Sequence, residues 1–248
     1  MIKKAWYKDW FNSPYYHLLY QNRDEGEALA FIERLIAHLQ PPKNALMLDV
    51  ACGKGRHSKV LADMGFDVTG IDLSEASIEE AKQDEADNLH FYQHDMRLPF
   101  RINYYDYAFN FFTSFGYFKT QREHNNAIRT IAQSIKKEGL FVIDYLNVHY
   151  VSGLLKKMHT TIVGDTHFHI TKWQDEQHFF KQIQVSEGGK ASQKHLYTER
   201  VAKFSLGDFT EMLAYHHVQV QEVFGDYNLG SYDIKKSPRM IIVAKKKG

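Results

Sequence analysis

The stretch of residues 46–58, LMLDVACGKGRHS, constrains the fold more than any other part of the chain. The apolar run at its start, residues 45–50, predicts a strand that is buried on both faces. Gly53 and Gly55 predict a tight turn, and apolar residues at helical spacing follow from Val60. A strand that ends in glycines before a helix lets a ligand contact bare backbone at the positive end of that helix. The pattern indicates a polar, extended ligand such as a nucleoside derivative, although an ordinary strand–turn–helix connection shares it.

Strand and helix patterns alternate between residues 45 and 146. Apolar runs predict further strands at 66–71, 89–93, 105–112 and 139–146. Apolar residues at helical spacing predict helices at 26–39, 54–64, 74–86 and 121–137. Such alternation is typical of a doubly wound α/β fold, a parallel sheet with helices on both faces.

Residues 148–204 depart from this alternation. Segments 160–173, 178–186 and 194–204 are extended in character with no helix between them, which predicts a three-stranded antiparallel insertion. A helix from Ser205 and two strands, at 218–225 and 239–244, complete the chain. We therefore expect a core of residues 1–147 and 205–248 with a seven-stranded, mostly parallel sheet and an antiparallel last strand. Residues 148–204 are expected to form a cap that acts as a substrate lid.

Composition limits the classes of partner. The 248 residues carry 31 Lys and Arg against 30 Asp and Glu, so no net basic field favours a nucleic-acid partner. No apolar run reaches the roughly 20 residues that span a bilayer, and no signal peptide is recognised, so no membrane partner is expected. Cys52 is the only cysteine, which fits a reducing cytoplasm. No cluster of His, Asp and Glu has metal-ligand spacing, so no metal is expected; the sequence does not predict the oligomeric state.

Polar residues follow three of the predicted strands. Asp72 ends the second strand, Asp95 and Met96 follow the third, and Asn110 lies at the end of the fourth. In a doubly wound sheet, ligands bind beyond the carboxyl ends of the strands. A carboxylate after the second strand can accept both ribose hydroxyls, and Asp95 can accept from an adenine amine. Either acid alone is typical of a turn, but two at consecutive strand ends predict a nucleoside site.

At these residues the chain resembles a known family, the class I S-adenosylmethionine-dependent methyltransferases. The resemblance is closest to the branch with an antiparallel insertion after the fifth strand. It is carried by the motifs LDVACGKGRHS, VTGIDLS, HDMR, NFFTSFGYF, DYNLGSYDIKKSPRMIIVAKK and the aromatic opening YYHLLYQNRD. Together these motifs cover the whole core of the family, and they are specific for the family rather than for any substrate.

The resemblance implies S-adenosylmethionine as the cofactor, with S-adenosylhomocysteine as the product. It implies that the backbone of Ala51, Gly53 and Gly55 lines the methionine part of the cofactor, with Asp49 nearby as an acceptor. Ala51 stands where the family usually has its first glycine, and alanine still permits close approach. The resemblance also implies that Asn110 meets the ammonium group of the cofactor.

The resemblance assigns the remaining cofactor contacts to the adenosine and carboxylate ends. Asp72 is expected to hold the ribose and Leu73 to pack on the adenine, whose edge is read by Asp95 and Met96. Tyr20 and Arg23 are expected to reach the cofactor's carboxylate, which the Arg guanidinium suits. Arg97 either pairs with Asp95 or faces the substrate.

Methyl transfer from a sulfonium is an in-line displacement, so the protein mainly supplies proximity and a dry cavity. A general base is needed only if the acceptor arrives protonated, and the candidates are His57, Tyr117 and His149. Residues 113–117 and the insertion are expected to form the acceptor pocket. Its aromatic residues predict a small, partly apolar amine or hydroxyl compound as acceptor, and the resemblance favours nitrogen.

Two other interpretations remain open from the sequence. Gly53 and Gly55 followed by Asp72 also resemble the fingerprint of NAD(P)-dependent oxidoreductases, but Ser58 stands where the third glycine is expected. The second alternative is a non-catalytic regulatory protein that keeps the cofactor-binding fold, because no single residue is indispensable for methyl transfer.

Overall fold

The computed structural model describes residues 6–20, 25–155, 157–187 and 195–247. The strands within these ranges are β1 (Leu46–Val50), β2 (Asp67–Asp72), β3 (Leu89–Gln93), β4 (Tyr105–Asn110), β5 (Ile135–Leu146), β6 (Met158–Val163), β7 (Thr166–Gln174), β8 (His178–Glu187), β9 (His195–Ala202), β10 (Val218–Phe224) and β11 (Arg239–Lys246). The α-helices are α1 (Trp6–Phe11), α2 (Pro14–Tyr20), α3 (Glu25–Leu39), α4 (Arg56–Asp63), α5 (Glu75–Ala81), α6 (Gln121–Ser134), α7 (Val148–Gly153) and α8 (Leu206–Tyr215).

Seven strands form one sheet in the order β10-β11-β5-β4-β1-β2-β3. β1 pairs in parallel with both β2 and β4, while β11 is antiparallel to β5 and to β10. The predicted doubly wound sheet with an antiparallel last strand is therefore confirmed. Because the strand order reverses between β1 and β4, a crevice opens beyond their carboxyl ends.

The insertion is a second sheet of four antiparallel strands in the order β6-β7-β8-β9. The expectation of three strands was wrong, because the extended segment 160–173 contains a hairpin. Gly164 has a φ of 56° and lies between β6 and β7, which pair antiparallel up to Val163 and Thr166. Glycine adopts this left-handed conformation without steric strain, so the chain reverses there. The predicted turn at Gly188 and Gly189 lies outside the described residues.

Local signals fix the beginnings of several helices. Ser74 caps α5, its hydroxyl accepting a hydrogen bond from the backbone N–H of Ser77, as the sequence predicted. A capping box begins α6, with Thr120 and Glu123 each accepting from the other's backbone N–H. In contrast, α4 begins at Arg56 and not at residue 54, because the glycine turn extends to Gly55. None of the helices in the described ranges is long and apolar enough to cross a membrane.

The core lies on both faces of the large sheet, because alternate residues of β1 point to opposite faces. Leu48 packs in one apolar cluster and Met47 in the other, and both are buried. A third cluster joins the N-terminal helices to the insertion, where the fully buried ring of Trp10 packs with Phe168 and Ile183. The helices α1 and α2 are thus attached to the inserted sheet.

Candidate cofactor site

The carboxyl ends of β1, β2 and β3 open into one hollow of about 970 Å³, its mouth included. Seven of the residues predicted to bind the cofactor line it: Tyr20, Ala51, Gly53, Asp72, Leu73, Asp95 and Met96. Tyr117, a candidate catalytic residue, lines the same hollow.

The turn after β1 places backbone groups at the floor of this hollow. Ala51, Gly53 and Gly55 have φ values of 62°, 57° and 80°, all in the left-handed region. A Cβ on Gly55 would lie 2.4 Å from the Phe91 ring, so only glycine fits beneath that ring. Gly55 therefore packs the turn against β3, whereas Ala51 and Gly53 face the hollow. Ala51 adopts a conformation that costs a non-glycine residue about 1–2 kcal/mol.

Asp72 is held in place by backbone donors. Its carboxylate accepts from the N–H of Gly53 at 2.9 Å and from the N–H of Ser74 at 2.7 Å. Burial raises the pKa of Asp72, and these hydrogen bonds oppose that rise. The side chain thus connects the end of β2 to the glycine turn, and its oxygens line the hollow where a ribose diol could donate to them.

Asp49 lies behind the turn and is not among the residues that line the hollow. Its side chain is 1% exposed and accepts from the Ser58 hydroxyl at 2.7 Å. Burial raises the pKa of Asp49 to about 7. This carboxyl therefore supports the turn through the first residues of α4.

Asp95 is paired with Arg97, one of the two alternatives that the sequence left open. The Arg97 guanidinium donates to both carboxylate oxygens of Asp95, with a shortest distance of 2.6 Å, and to Glu123 at 2.6 Å. The same guanidinium lies 4.9 Å from the centre of the Phe118 ring. These contacts fix the carboxylate of Asp95 beside Met96 at the edge of the hollow.

Asn110 supplies a buried acceptor at the end of β4. Its amide donates to the backbone oxygen of Val50 at 2.9 Å, while its Oδ1 atom is buried and has no hydrogen-bond partner. An acceptor of this kind costs about 1–3 kcal/mol unless a donor reaches it. Asn110 is not among the residues that line the hollow, so its predicted contact with the cofactor's ammonium stays a prediction. The fit to S-adenosylmethionine depends on the Asp72 carboxylate and on the bare backbone at Gly53, which do line the hollow.

The turn after β4 is strained and held by a buried ion pair. Phe112 and Thr113 have φ values of 55° and 60°. Asp144, which is fully buried, accepts from the N–H of Phe112 at 2.8 Å and from Arg239 at 2.6 Å. Arg239 also donates to the Thr113 hydroxyl at 3.0 Å. Through these contacts β5 and β11 fix the turn that places Phe112 against the hollow.

The N-terminal helices form the roof of the hollow. Tyr7, Phe11, Tyr16 and Tyr20 line it from α1 and α2. The Tyr20 hydroxyl donates to Glu199 of β9 at 3.0 Å. Arg23, the other residue predicted to reach the cofactor's carboxylate, lies outside the described residues.

The three candidate bases occupy different places. The Tyr117 hydroxyl donates to the backbone oxygen of Thr113 at 2.6 Å at the edge of the hollow. His57 lines an adjoining hollow that shares Ala51 and Phe112 with the first, and its ring stacks on Phe112 at 4.8 Å. His149 is exposed at the start of α7 and lines neither hollow.

Ser114 lies in the segment 113–117 that was expected to form the acceptor pocket, and it lines the hollow. Sequence reasoning missed several other residues that line the hollow: Ser74, Ser77, His94, Phe112, Phe118 and Glu199. Phe112 and Phe118 lie directly beside that segment, so position along the chain could have indicated them. Glu199 gave no such signal, because it is one polar residue in an amphipathic strand. Within the described ranges, no group of three or more His, Cys, Asp or Glu side chains could hold a metal ion.

A mostly parallel seven-stranded sheet of this order with antiparallel end strands is the class I S-adenosylmethionine-dependent methyltransferase fold. Residues 42–203 match a family model described as a methyltransferase domain. The chain therefore belongs to this family of S-adenosylmethionine-dependent methyltransferases. Among solved structures, one similar fold is an S-adenosylmethionine-dependent methyltransferase from Clostridium acetobutylicum ATCC 824. The TM-score is 0.77 at 15% identity, covering 94% of this chain and 96% of that chain.

Two relatives of known name match parts of the chain. The dTDP-3-amino-3,4,6-trideoxy-alpha-D-glucopyranose N,N-dimethyltransferase of Streptomyces venezuelae is 32% identical over 133 residues, 52% of this chain and 54% of that protein. Glycine N-methyltransferase of Oryctolagus cuniculus is 28% identical over 123 residues, 42% of each chain. The chain thus spans about half the length of the curated relatives it matches.

Proposed function

We propose that this protein transfers a methyl group from S-adenosylmethionine to a nitrogen atom of a small molecule. The observation that carries the proposal is the meeting of Gly53, Asp72 and Asp95 around one hollow. Nitrogen is favoured over oxygen because both named relatives are N-methyltransferases by name. Cys52, the single cysteine, fits a reducing compartment such as the cytoplasm.

The proposed cofactor contacts follow the strand ends. Asp72 accepts from the ribose, Asp95 and Met96 contact the adenine edge, and Leu73 packs on its face. Bound S-adenosylmethionine supplies a methyl group activated by a sulfonium. The buried Oδ1 atom of Asn110, which has no hydrogen-bond partner, is proposed to accept from the cofactor's ammonium.

The chain's own contribution to the reaction is positioning and exclusion of water. Aromatic side chains from α1, α2 and the turn after β4 enclose the hollow. A hollow walled by such rings holds the reacting atoms near one another and keeps bulk water out. A neutral amine needs no general base, because its lone pair is already available. Tyr117 and His57 stay candidates for a base only if the acceptor arrives protonated.

We propose that the inserted sheet, residues 148–204, serves as the wall and lid of the acceptor compartment. Glu199 of β9 lines the hollow, and the N–H of Ala202 donates to the backbone oxygen of Gly116 at 2.9 Å. The inserted sheet therefore meets the hollow next to the turn after β4.

The experiment is a turnover assay with S-adenosylmethionine and a panel of small amines paired with the corresponding alcohols. Formation of S-adenosylhomocysteine with at least one amine, and a product heavier by one methyl group, is the expected result. Methylation of alcohols alone would contradict the nitrogen assignment. Cofactor binding without turnover on any acceptor would favour the non-catalytic alternative.

A further inference from the structure

Glu199 stands out among the groups that line the hollow. Three of the described residues that line the hollow carry a carboxylate: Asp72, Asp95 and Glu199. No Lys or Arg is among these described lining residues. Asp72 is held by two backbone N–H groups and Asp95 by the Arg97 guanidinium. Of these three residues, only Glu199 belongs to the inserted sheet. In the proposed function this sheet forms the wall of the acceptor compartment.

The position of Glu199 on its sheet is unusual for a charged residue. The face that carries it includes Ile183 and Val185, which are buried beneath α1 and α2. Glu199 lies directly across from Lys181 on β8, and their side chains are 16% and 17% exposed, with 3.8 Å between the charged atoms. A partly buried pair of this kind stabilises a fold no better than apolar residues of similar size. Stability alone therefore does not explain a carboxylate at this place.

Three groups fix the Glu199 carboxylate in position. Its Oε1 atom accepts from the indole N–H of Trp10 at 2.7 Å and from the hydroxyl of Tyr20 at 3.0 Å. The Lys181 ammonium lies 4.6 Å from the centre of the Tyr20 ring and contacts the Tyr20 hydroxyl. Donors that hold one oxygen orient the whole carboxylate, as a binding group requires.

The walls next to Glu199 suit a cation. Seven aromatic side chains line the same hollow: Tyr7, Phe11, Tyr16, Tyr20, Phe112, Tyr117 and Phe118. The faces of aromatic rings attract ammonium groups, and this attraction grows when water is excluded. A carboxylate beside such rings binds an alkylammonium better than a neutral or anionic group of equal size.

We propose that Glu199 is the acceptor-recognition residue of this site, and that it selects acceptors carrying a protonated amine on a small, partly apolar body. This inference rests on the proposed function. The bound ammonium passes one proton to a base, for which His57 and Tyr117 are the candidates named above, and the nitrogen lone pair then forms the new N–C bond. The C–S bond breaks with its electron pair passing to sulfur, and the product is a methylated ammonium.

The test compares cyclohexylammonium with cyclohexanol, two probes of similar shape that differ in charge. Binding of each is measured at pH 7.5 to the full chain saturated with S-adenosylhomocysteine, by competition or by ligand-detected NMR. The wild-type protein is expected to bind cyclohexylammonium about tenfold or more tightly than cyclohexanol. Equal binding of the two probes would overturn the proposal without any variant.

Glu199→Gln keeps the oxygen that accepts from Trp10 and Tyr20 and removes the charge. We expect it to lose the preference for the ammonium probe and to keep its affinities for cyclohexanol and for S-adenosylhomocysteine. The matched control is Glu187→Gln on β8, an exposed residue that accepts from the Tyr15 hydroxyl at 2.9 Å; it should keep the preference. Retention of the preference in Glu199→Gln would overturn the proposal, and so would a selective loss of S-adenosylhomocysteine binding.

A second variant keeps the test independent of how well Glu199→Gln folds. Lys181 competes with the acceptor's ammonium for the same carboxylate, so Lys181→Gln is expected to tighten cyclohexylammonium binding severalfold. Weaker binding in this variant would contradict the assignment. Failure of the wild-type protein to bind S-adenosylhomocysteine at all would instead contradict the proposed function from which the inference starts.

Discussion

Asp72 is the residue on which we expect cofactor binding to depend most. Its carboxylate joins the end of β2 to the N–H of Gly53 and faces the hollow. We expect Asp72→Ala to weaken binding of S-adenosylhomocysteine by at least about tenfold, because two ribose hydroxyls lose a charged acceptor. Isothermal titration of the variant and the wild-type protein measures this directly.

The control for this prediction is Asp87→Ala, which removes a carboxylate from an exposed loop before β3. It should leave the affinity unchanged. Equal affinities in Asp72→Ala and Asp87→Ala would show that the end of β2 does not hold the ribose.

Asp49 makes stability depend on pH. Burial raises its pKa to about 7 in the folded protein, whereas in the unfolded chain an aspartate releases its proton near pH ~4. Between these values the unfolded state binds fewer protons, so this residue's contribution to stability falls as the pH rises. The side chain at residue 49 cannot titrate in Asp49→Asn. From pH 5 to pH 7.5, the free energy of unfolding of this variant should therefore rise by about 2–3 kcal/mol relative to that of wild type.

Urea unfolding of both proteins at the two pH values tests the contribution of Asp49. A difference in the free energy of unfolding that stays constant from pH 5 to pH 7.5 would mean that the folded-state pKa of Asp49 is ordinary.

At the residue scale, the sequence predicted those site residues that follow a strand directly. Asp72 and Asp95 could be placed because parallel strands bring their carboxyl ends to one rim. Glu199 could not be placed in this way. It lies more than 80 residues along the chain after the turn that follows β4, and it reaches the hollow only because the inserted sheet docks there. Its role and the roles of the other lining residues stay predictions until binding is measured.

At the scale of elements, the roof formed by α1 and α2 depends on the inserted sheet. The Trp10 ring is fully buried, lies 4.6 Å from the ring of Tyr197, and donates to Glu199. We expect Trp10→Ala to destabilise the protein by about 3–5 kcal/mol, because it leaves a large cavity between the helices and the sheet. Binding of S-adenosylhomocysteine should weaken as well, since α1 and α2 supply aromatic walls of the hollow.

Trp10→Phe is the matched control, because it keeps most of the buried ring and removes the N–H donor. Its loss of stability should be clearly smaller in urea unfolding. A Trp10→Ala variant as stable as wild type would mean that the roof is not fixed by this contact.

The elements themselves were predicted well where apolar periodicity was strong, and less well in the insertion. Leu89–Gln93 was predicted at its observed bounds. The sequence predicts one strand over 160–173, because a single glycine at residue 164 is a weak signal for a reversal. The docking of α1 and α2 on β9 could not be predicted, because it brings together side chains that are far apart in the sequence, such as Trp10 and Glu199.

At the scale of the whole molecule, two sheets contribute residues to one hollow. The strand ends of the seven-stranded sheet are proposed to bind the cofactor, and the four-stranded sheet is proposed to form the acceptor side. The first part could be predicted from the alternation of strands and helices and from the family motifs. The arrangement of the second sheet over the first depends on contacts far apart in sequence, for which periodicity gives no signal.

The most direct test of the central claim is a calorimetric titration of the full chain with S-adenosylhomocysteine and, separately, with NADH. We expect the protein to bind S-adenosylhomocysteine at a single site with a dissociation constant of about 1 μM or tighter, and to show no detectable heat of binding for NADH. Binding of NADH without binding of S-adenosylhomocysteine would contradict it.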